Sequence, residues 1–248
     1  MATVQAHYQD HLAPIYTWMV GGTQAAFEAG AAELESLALP AHARQAAVDL
    51  GAGFGMHALP WARRGGRVLA IDSSPELLNE LARHAAGLPV QLVQDDLLAF
   101  PSHLTEVPEV VLCMGDTITH LADLARVEQL VRCVAAVLAA GGTFVVSWRD
   151  YSVPLHGEQR FIPVRSDGQR ILTCFLEYED DTVIVHDVLH EKEGPAWRMA
   201  VSSYRKLRLS PEALGTLARS AGFTVQHQAG LRGMVRLVCT KAGSVKSP

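Results

Sequence analysis

An α/β fold built on a doubly wound, mostly parallel sheet of seven strands is predicted by three features of this 248-residue sequence. Short, wholly apolar, β-branched runs alternate with helical stretches between residues 46 and 152, as in strands buried on both faces and joined by crossover helices. Beyond residue 152 extended runs follow one another directly, which a parallel sheet cannot accommodate because every parallel connection needs a crossover. Between the first run and the first core helix stands "VDLGAGFG" at residues 48–55, the position where such sheets bind nucleotides.

The first forty residues, including "GGTQAAFEAGAAELESLAL", have apolar positions at helical spacing and predict one or two helices ending near Pro40. "AAVDLG" is the first strand, stopped by glycine, and "FGMHALPWARRG" reads as a helix kinked near Pro60. "RVLAID" is the second strand. In "SSPELLNELARHA" a serine cap, Pro75 at the first helical position and Glu76 beside it mark a helix start. "VQLVQDDLLAF" and "EVVLCMGDTITHL" supply strands three and four, "ADLARVEQLVRCVAAVLAAGG" an amphipathic helix, and "TFVVSWRDYS" strand five. Between residues 158 and 208 the turn chemistries "SDG", "EDD" and "EKEGP" predict a small antiparallel sheet inserted after strand five. "SPEALGTLARSAGF" is a capped helix, and "FTVQHQAG" with "MVRLVCTKA" is a closing hairpin that completes the seven strands. "GSVKSP" reads as a frayed tail. The length suits one domain over residues 1–248, with an N-terminal helical part (1–45), a core (46–152), the insertion (153–209) and the closing elements (210–242).

A hydrophobic fraction of 49% against 19% charged residues provides a real core. Net charge is −5, with basic residues scattered apart from Arg63 and Arg64, so no basic block exists to neutralise a row of phosphates, and no nucleic-acid partner is expected. Cys113, Cys133, Cys174 and Cys239 lie far apart in apolar runs, the pattern of reduced thiols in a cytoplasmic protein. The N-terminal stretch lacks a basic and an apolar leader region, and no apolar run reaches the roughly 18 residues of a membrane span, so no membrane partner is expected.

Which ligand the glycine loop serves is a question of spacing and charge. A dinucleotide fingerprint needs a third glycine where this chain has Met56, and a phosphate loop needs a lysine that is absent. Asp49 precedes the glycines, and a carboxylate beside a pyrophosphate is repelled by a few kcal/mol at an effective dielectric of about 20. S-adenosyl-L-methionine carries a sulfonium and an ammonium and no phosphate, so the same carboxylate favours it. Asp72, ending strand two, is placed for ribose hydroxyls in either cofactor, or for a turn before "SSPE".

"VDLGAGFG", "RVLAID", "VQLVQDDLLAF", "EVVLCMGDTITHL" and "GGTFVVSWRDY" together resemble, in order and spacing, the class I S-adenosylmethionine-dependent methyltransferases over residues 46–152. The resemblance implies a Rossmann-like methyltransferase fold with Asp49, Gly51, Ala52 and Gly53 in the cofactor turn, Asp72 and Ser73 at the ribose, and Met114 and Gly115 along the methionine moiety. It also implies an acid and an apolar residue at the adenine, here Asp96 and Leu97, with the adjacent Asp95 as the one-residue alternative. "CMGDTITHL" replaces the "[DN]-P-P-[YF]" signature of enzymes that methylate bases or protein amides, and is similar to the segment of small-molecule N-methyltransferases.

His120 is the candidate general base or substrate-orienting group, since a neutral imidazole suits that task near pH 7, or else it packs the following helix. Asp116 and Thr117 read as turn residues with weaker claims. "HYQDHLAPIYTWM" resembles the N-terminal lid of the family, with Tyr16 on the cofactor and Tyr8 on the substrate, or both packing with Trp18. Arg149 and Tyr151 are placed to fix a carboxylate or hydroxyl of the acceptor, or to pair and pack at the strand end. His7 with His11, and His186 with His190, read as solvated faces, and no metal is expected. The expected activity is methyl transfer from S-adenosylmethionine to an amine nitrogen or hydroxyl oxygen of a small molecule, with homodimerisation an option. The competing readings are a nicotinamide-dependent oxidoreductase and a non-catalytic S-adenosylmethionine-binding protein.

Overall fold

The computed structural model describes residues 3–37, 39 and 45–243. The expected helix end at Pro40 and the tail beyond Gly243 fall outside the described residues. The N-terminal part is a broken helix: α1 (Val4–His7), a π-helical turn (Tyr8–Leu12), a 3₁₀ turn (Ala13–Ile15) and α2 (Tyr16–Val20). Gly21 and Gly22, at φ +110 and +96, turn the chain into α3 (Thr23–Ser36).

The core runs β1 (Ala46–Leu50), α4 (Ala58–Arg63), β2 (Arg67–Asp72), α5 (Pro75–His84), β3 (Val90–Gln94), β4 (Val110–Cys113), α6 (Leu124–Val137) and β5 (Thr143–Trp148). All five residues of β1 and all four of β4 are buried, as strands covered on both faces require. Ser74 caps α5 by accepting from the Leu77 N–H at 3.3 Å, and Asp123 caps α6 through the Arg126 N–H at 2.8 Å. The expected kink at Pro60 is corrected: α4 begins at Ala58, so Pro60 lies in the first turn, where its missing N–H costs no helical bond.

The insertion is a four-stranded antiparallel sheet, β6 (Phe161–Ser166), β7 (Arg170–Tyr178), β8 (Thr182–Glu193) and β9 (Ala196–Leu207), in sequential order. Asp167 builds the first of its turns by accepting from the Gln169 and Arg170 N–H groups at 2.7 and 2.8 Å. Then α7 (Pro211–Ser220), β10 (Phe223–Ala229) and β11 (Val235–Lys241) close the chain. The main sheet has the order β10-β11-β5-β4-β1-β2-β3, with β11 alone running antiparallel to its neighbours. Strand order reverses between β1 and β4, so a crevice opens at their carboxyl ends. One face of the insertion sheet packs on the N-terminal segment, where Leu12 and Ile15 meet Leu172 and Leu189. The crevice is therefore enclosed by three parts of the chain.

Candidate functional site

The glycine turn after β1 is held to β2. The N–H groups of Gly51 and Ala52 donate to the Ile71 carbonyl at 2.9 and 3.0 Å, and the Gly53 N–H donates to Asp72 Oδ2 at 2.7 Å. The Ser74 N–H holds the other Asp72 oxygen at 2.8 Å, so the carboxylate at the end of β2 has a fixed orientation. Gly51 lies at φ +72, and a Cβ there would stand 2.4 Å from the Thr117 side chain. The close helix packing expected of a glycine at Met56 is supplied by Gly30 of α3, whose absent Cβ leaves room for the Met56 carbonyl. Asp49 is 2% exposed, and its Oδ2 has no hydrogen-bond partner. Burial pushes its pKa up to about 6.

A cavity beside this turn is walled by Tyr8, Asp72, Ser73, Asp95, Leu97 and His120, among others. Asp96 instead caps the 3₁₀ turn that follows β3, accepting from the Leu98 N–H at 2.7 Å. The cavity wall includes Asp95, the one-residue alternative, whose Oδ1 accepts from the Asp96 N–H at 2.8 Å and whose Oδ2 is 2.8 Å from His103 Nε2.

The end of β4 carries a polar hub. Met114 is buried in the core and accepts through its carbonyl from Thr117 Oγ1 at 2.9 Å, and the Gly115 N–H donates to Ser147 Oγ at 3.1 Å. Asp116 corrects its expectation as a simple turn residue. It is 5% exposed, sits at φ +81, pairs with Lys206 Nζ, and accepts from the Tyr151 hydroxyl at 3.1 Å and the Arg149 N–H at 3.0 Å. Lys206 holds the Asp116 carboxyl below its ordinary range although burial opposes it.

His120 lies half-buried beside this hub. Its Nε2 is 3.3 Å from the Tyr8 hydroxyl, and its Nδ1 is buried without a partner. Tyr204 of β9 stacks on its ring at 5.6 Å, and His7 stacks on the far side of Tyr204 at 4.0 Å. Burial and the nearby Lys206 ammonium lower the His120 pKa to about 3, so the imidazole is neutral at physiological pH. Tyr16 packs edge-on to Phe54 at 5.9 Å, behind Tyr8, and its hydroxyl is pushed up to about 12 by burial and the Asp72 and Asp116 charges.

His7 contradicts its expected solvated face. It is fully buried, with Nε2 2.9 Å from Asp187 Oδ2 and Nδ1 2.7 Å from Ser202 Oγ. Its neighbour His11 is half-buried, with Nε2 enclosed and unpartnered. The physical reason is the insertion sheet, which covers the N-terminal segment. His186 faces the opposite side of that sheet, half-exposed and paired with Glu177 at 2.7 Å. Among the described residues no group of three or more His, Cys, Asp and Glu side chains is arranged to hold a metal ion, and no helix is long and apolar enough to cross a membrane.

Lys206, Tyr204, Asp187 and Arg232 were outside the sequence expectation. The available signal was strand alternation: Ser202, Tyr204 and Lys206 share one face of β9, and Asp187 opposes Ser202 across the ladder. A second cavity, on the insertion side of Tyr8, is walled by these residues with Arg149 and Tyr151.

Residues 47–142 match the family model described as a methyltransferase domain. The chain is 28% identical over 176 residues to a ubiquinone biosynthesis O-methyltransferase of Methylocella silvestris, a match covering 62% of this chain and 64% of that relative. The chain thus spans under two thirds of the length of the curated relative. Among solved structures, an amino pentose methyltransferase from Micromonospora echinaspora with bound S-adenosylmethionine superposes with TM-score 0.76 at 19% identity, covering 92% of this chain and 96% of the other. The CcbJ methyltransferase from Streptomyces caelestis gives TM-score 0.76 at 22% identity over 96% and 98% of the two chains. Residues 47–142 carry a methyltransferase domain, and the whole chain shares the fold of those two enzymes.

Proposed function

We propose that this chain, with its methyltransferase domain, transfers the methyl group of S-adenosylmethionine to an amine nitrogen of a small molecule. The residues fit the cofactor. Asp49 Oδ2 is an orphaned buried acceptor at the end of β1 beside the glycine turn, Asp72 has a fixed carboxylate suited to ribose hydroxyls, and the cavity lined by Gly51, Asp72, Asp95 and His120 has carboxylates in its wall and no lysine or arginine. When bound, S-adenosylmethionine supplies an electrophilic methyl group on an excellent leaving group, so alignment of the nucleophile is the protein's main task.

The observation that carries the amine reading is His120: half-buried at the cavity wall and neutral, with Nδ1 enclosed and unpartnered and basicity lowered to about 3. Such a nitrogen accepts a hydrogen bond from an amine N–H and so aims the amine lone pair. It is a poor base for stripping a hydroxyl proton, because proton transfer is best served by a pKa near the operating pH. Tyr8 and Tyr204 hold the ring from two sides. The test is calorimetry followed by turnover: S-adenosylhomocysteine binds saturably while NAD does not, and a panel of paired amines and alcohols yields methylated amines. Binding of NAD alone would move the chain to the oxidoreductases. Tight S-adenosylhomocysteine binding with no turnover on any acceptor would support a non-catalytic binder, and turnover of alcohols alone would replace nitrogen by oxygen.

Cofactor binding is expected to depend on pH through Asp49. Its free-state pKa is raised to about 6, and a bound ammonium and sulfonium favour the carboxylate. Above about pH 6 the carboxylate is already formed and affinity is flat. Below it, binding must displace a proton, and Kd rises by up to about tenfold per pH unit. In Asp49→Asn this dependence disappears; an unchanged slope would show that another acid controls it.

A further inference from the structure

We infer that the cavity on the insertion side of Tyr8 holds the methyl acceptor by an anionic group, a carboxylate or a phosphate, bound between Arg149 and Arg232. The word acceptor rests on the methyl-transfer reading; the anion subsite does not. Two cavities meet at Tyr8 and differ in sign. The glycine-side walls carry Asp72 and Asp95 with no lysine or arginine. The insertion-side walls carry Arg149, Lys206 and Arg232 against Asp116 and Asp187. In a chain of net charge −5 this cavity is the one with cations in excess.

The excess resides in the two arginines. Asp116 is neutralised by Lys206, and Asp187 is bonded by His7 and by the Cys174 thiol at 2.7 Å. Arg149 and Arg232 have no carboxylate partner among the described residues. The Arg149 side chain donates only a long bond, 3.4 Å, to the Arg232 carbonyl, and Arg232 Nη2 donates to the Val20 carbonyl at 2.9 Å. Most donors of the two side chains are therefore left without a protein partner, and both residues line the one cavity.

Both residues are also held in place. The Arg149 backbone is fixed by its N–H bond to Asp116 Oδ1. Arg232 adopts φ +53 and ψ +37, a left-handed conformation disfavoured for a non-glycine residue, and it is anchored to the end of α2 through Val20. Guanidinium groups, with planar, bidentate donors, match carboxylate and phosphate oxygens. The same cationic wall favours the neutral form of an acceptor amine, which is the nucleophilic form. The acceptor class is thus an amine that also bears a carboxylate or phosphate.

The test uses the full chain saturated with S-adenosylhomocysteine and titrated by calorimetry with malonate and, separately, with inorganic pyrophosphate. One of these dianions is expected to bind saturably, and R149Q and R232Q each weaken it about tenfold or more while S-adenosylhomocysteine binding is unchanged. Preference for malonate assigns a carboxylate, and preference for pyrophosphate a phosphate. Absence of binding by both anions, or binding that both variants leave intact, overturns the subsite. Failure of S-adenosylhomocysteine to bind would sink the methyltransferase reading instead, and the same anion titrations on the free chain would still decide the subsite.

Discussion

Replacing Lys206 with methionine is expected to lower stability by about 3–5 kcal/mol at neutral pH, the cost of leaving one member of a buried ion pair alone. The side chains of Lys206 and Asp116 are 8% and 7% exposed, so solvent offers the stranded carboxylate little relief. The Tyr151 hydroxyl and the Arg149 N–H would still donate to Asp116, but neither carries its countercharge. The sign with pH follows from the same pair. In the native chain Lys206 depresses the Asp116 pKa, so this carboxylate contributes stability that is present above its unfolded value of about 3.9 and is lost as pH falls through the folded value. Without the ammonium, burial raises the folded pKa, and the penalty is largest at neutral pH and shrinks as acid protonates Asp116. Urea denaturation of wild type and Lys206→Met at pH 7 and pH 5 reads both effects. A loss no larger than that of an exposed pair such as Arg64 with Glu35, under about 1 kcal/mol, would mean that Asp116 does not depend on Lys206.

His120→Ala is expected to lower kcat about 100-fold on the amine acceptor with little change in S-adenosylhomocysteine affinity, because a misplaced nucleophile costs about that much. His120→Asn, which keeps a side-chain acceptor, recovers part of the loss. Since the imidazole is neutral above about pH 3, wild-type kcat shows no acid limb from this residue between pH 5 and 8. Full turnover by the alanine variant would leave His120 as a packing residue under Tyr204.

The glycine turn and its bond to Asp72 were legible because their signals are local. The glycine turn and Asp72 lie within one strand-helix-strand unit, and the alternation of apolar runs with capped helices identified the parallel strands around them. The insertion side was not. Alternation in β9 places Tyr204 and Lys206 on one face, but only the docking of the N-terminal segment makes that face the inside, and the same docking turns His7 from a surface residue into a buried one. Pro60 was misplaced for a smaller reason: helix boundaries shift by a residue or two, and its first-turn role is one that composition alone does not position. Asp116 looked like a turn residue and is one, at φ +81, but its partners lie 33 to 90 positions away.

Sequence separation also orders the assembly of the two halves. Gly53 and Asp72 close a loop of 19 residues, whereas His7 and Ser202 must find each other across 195. Closing the longer loop costs about 2 kcal/mol more in chain entropy. The glycine turn can therefore form while the wall that carries Tyr204 and Lys206 is still open, and a chain weakened in the insertion loses the insertion-side cavity before it loses the turn between β1 and β2.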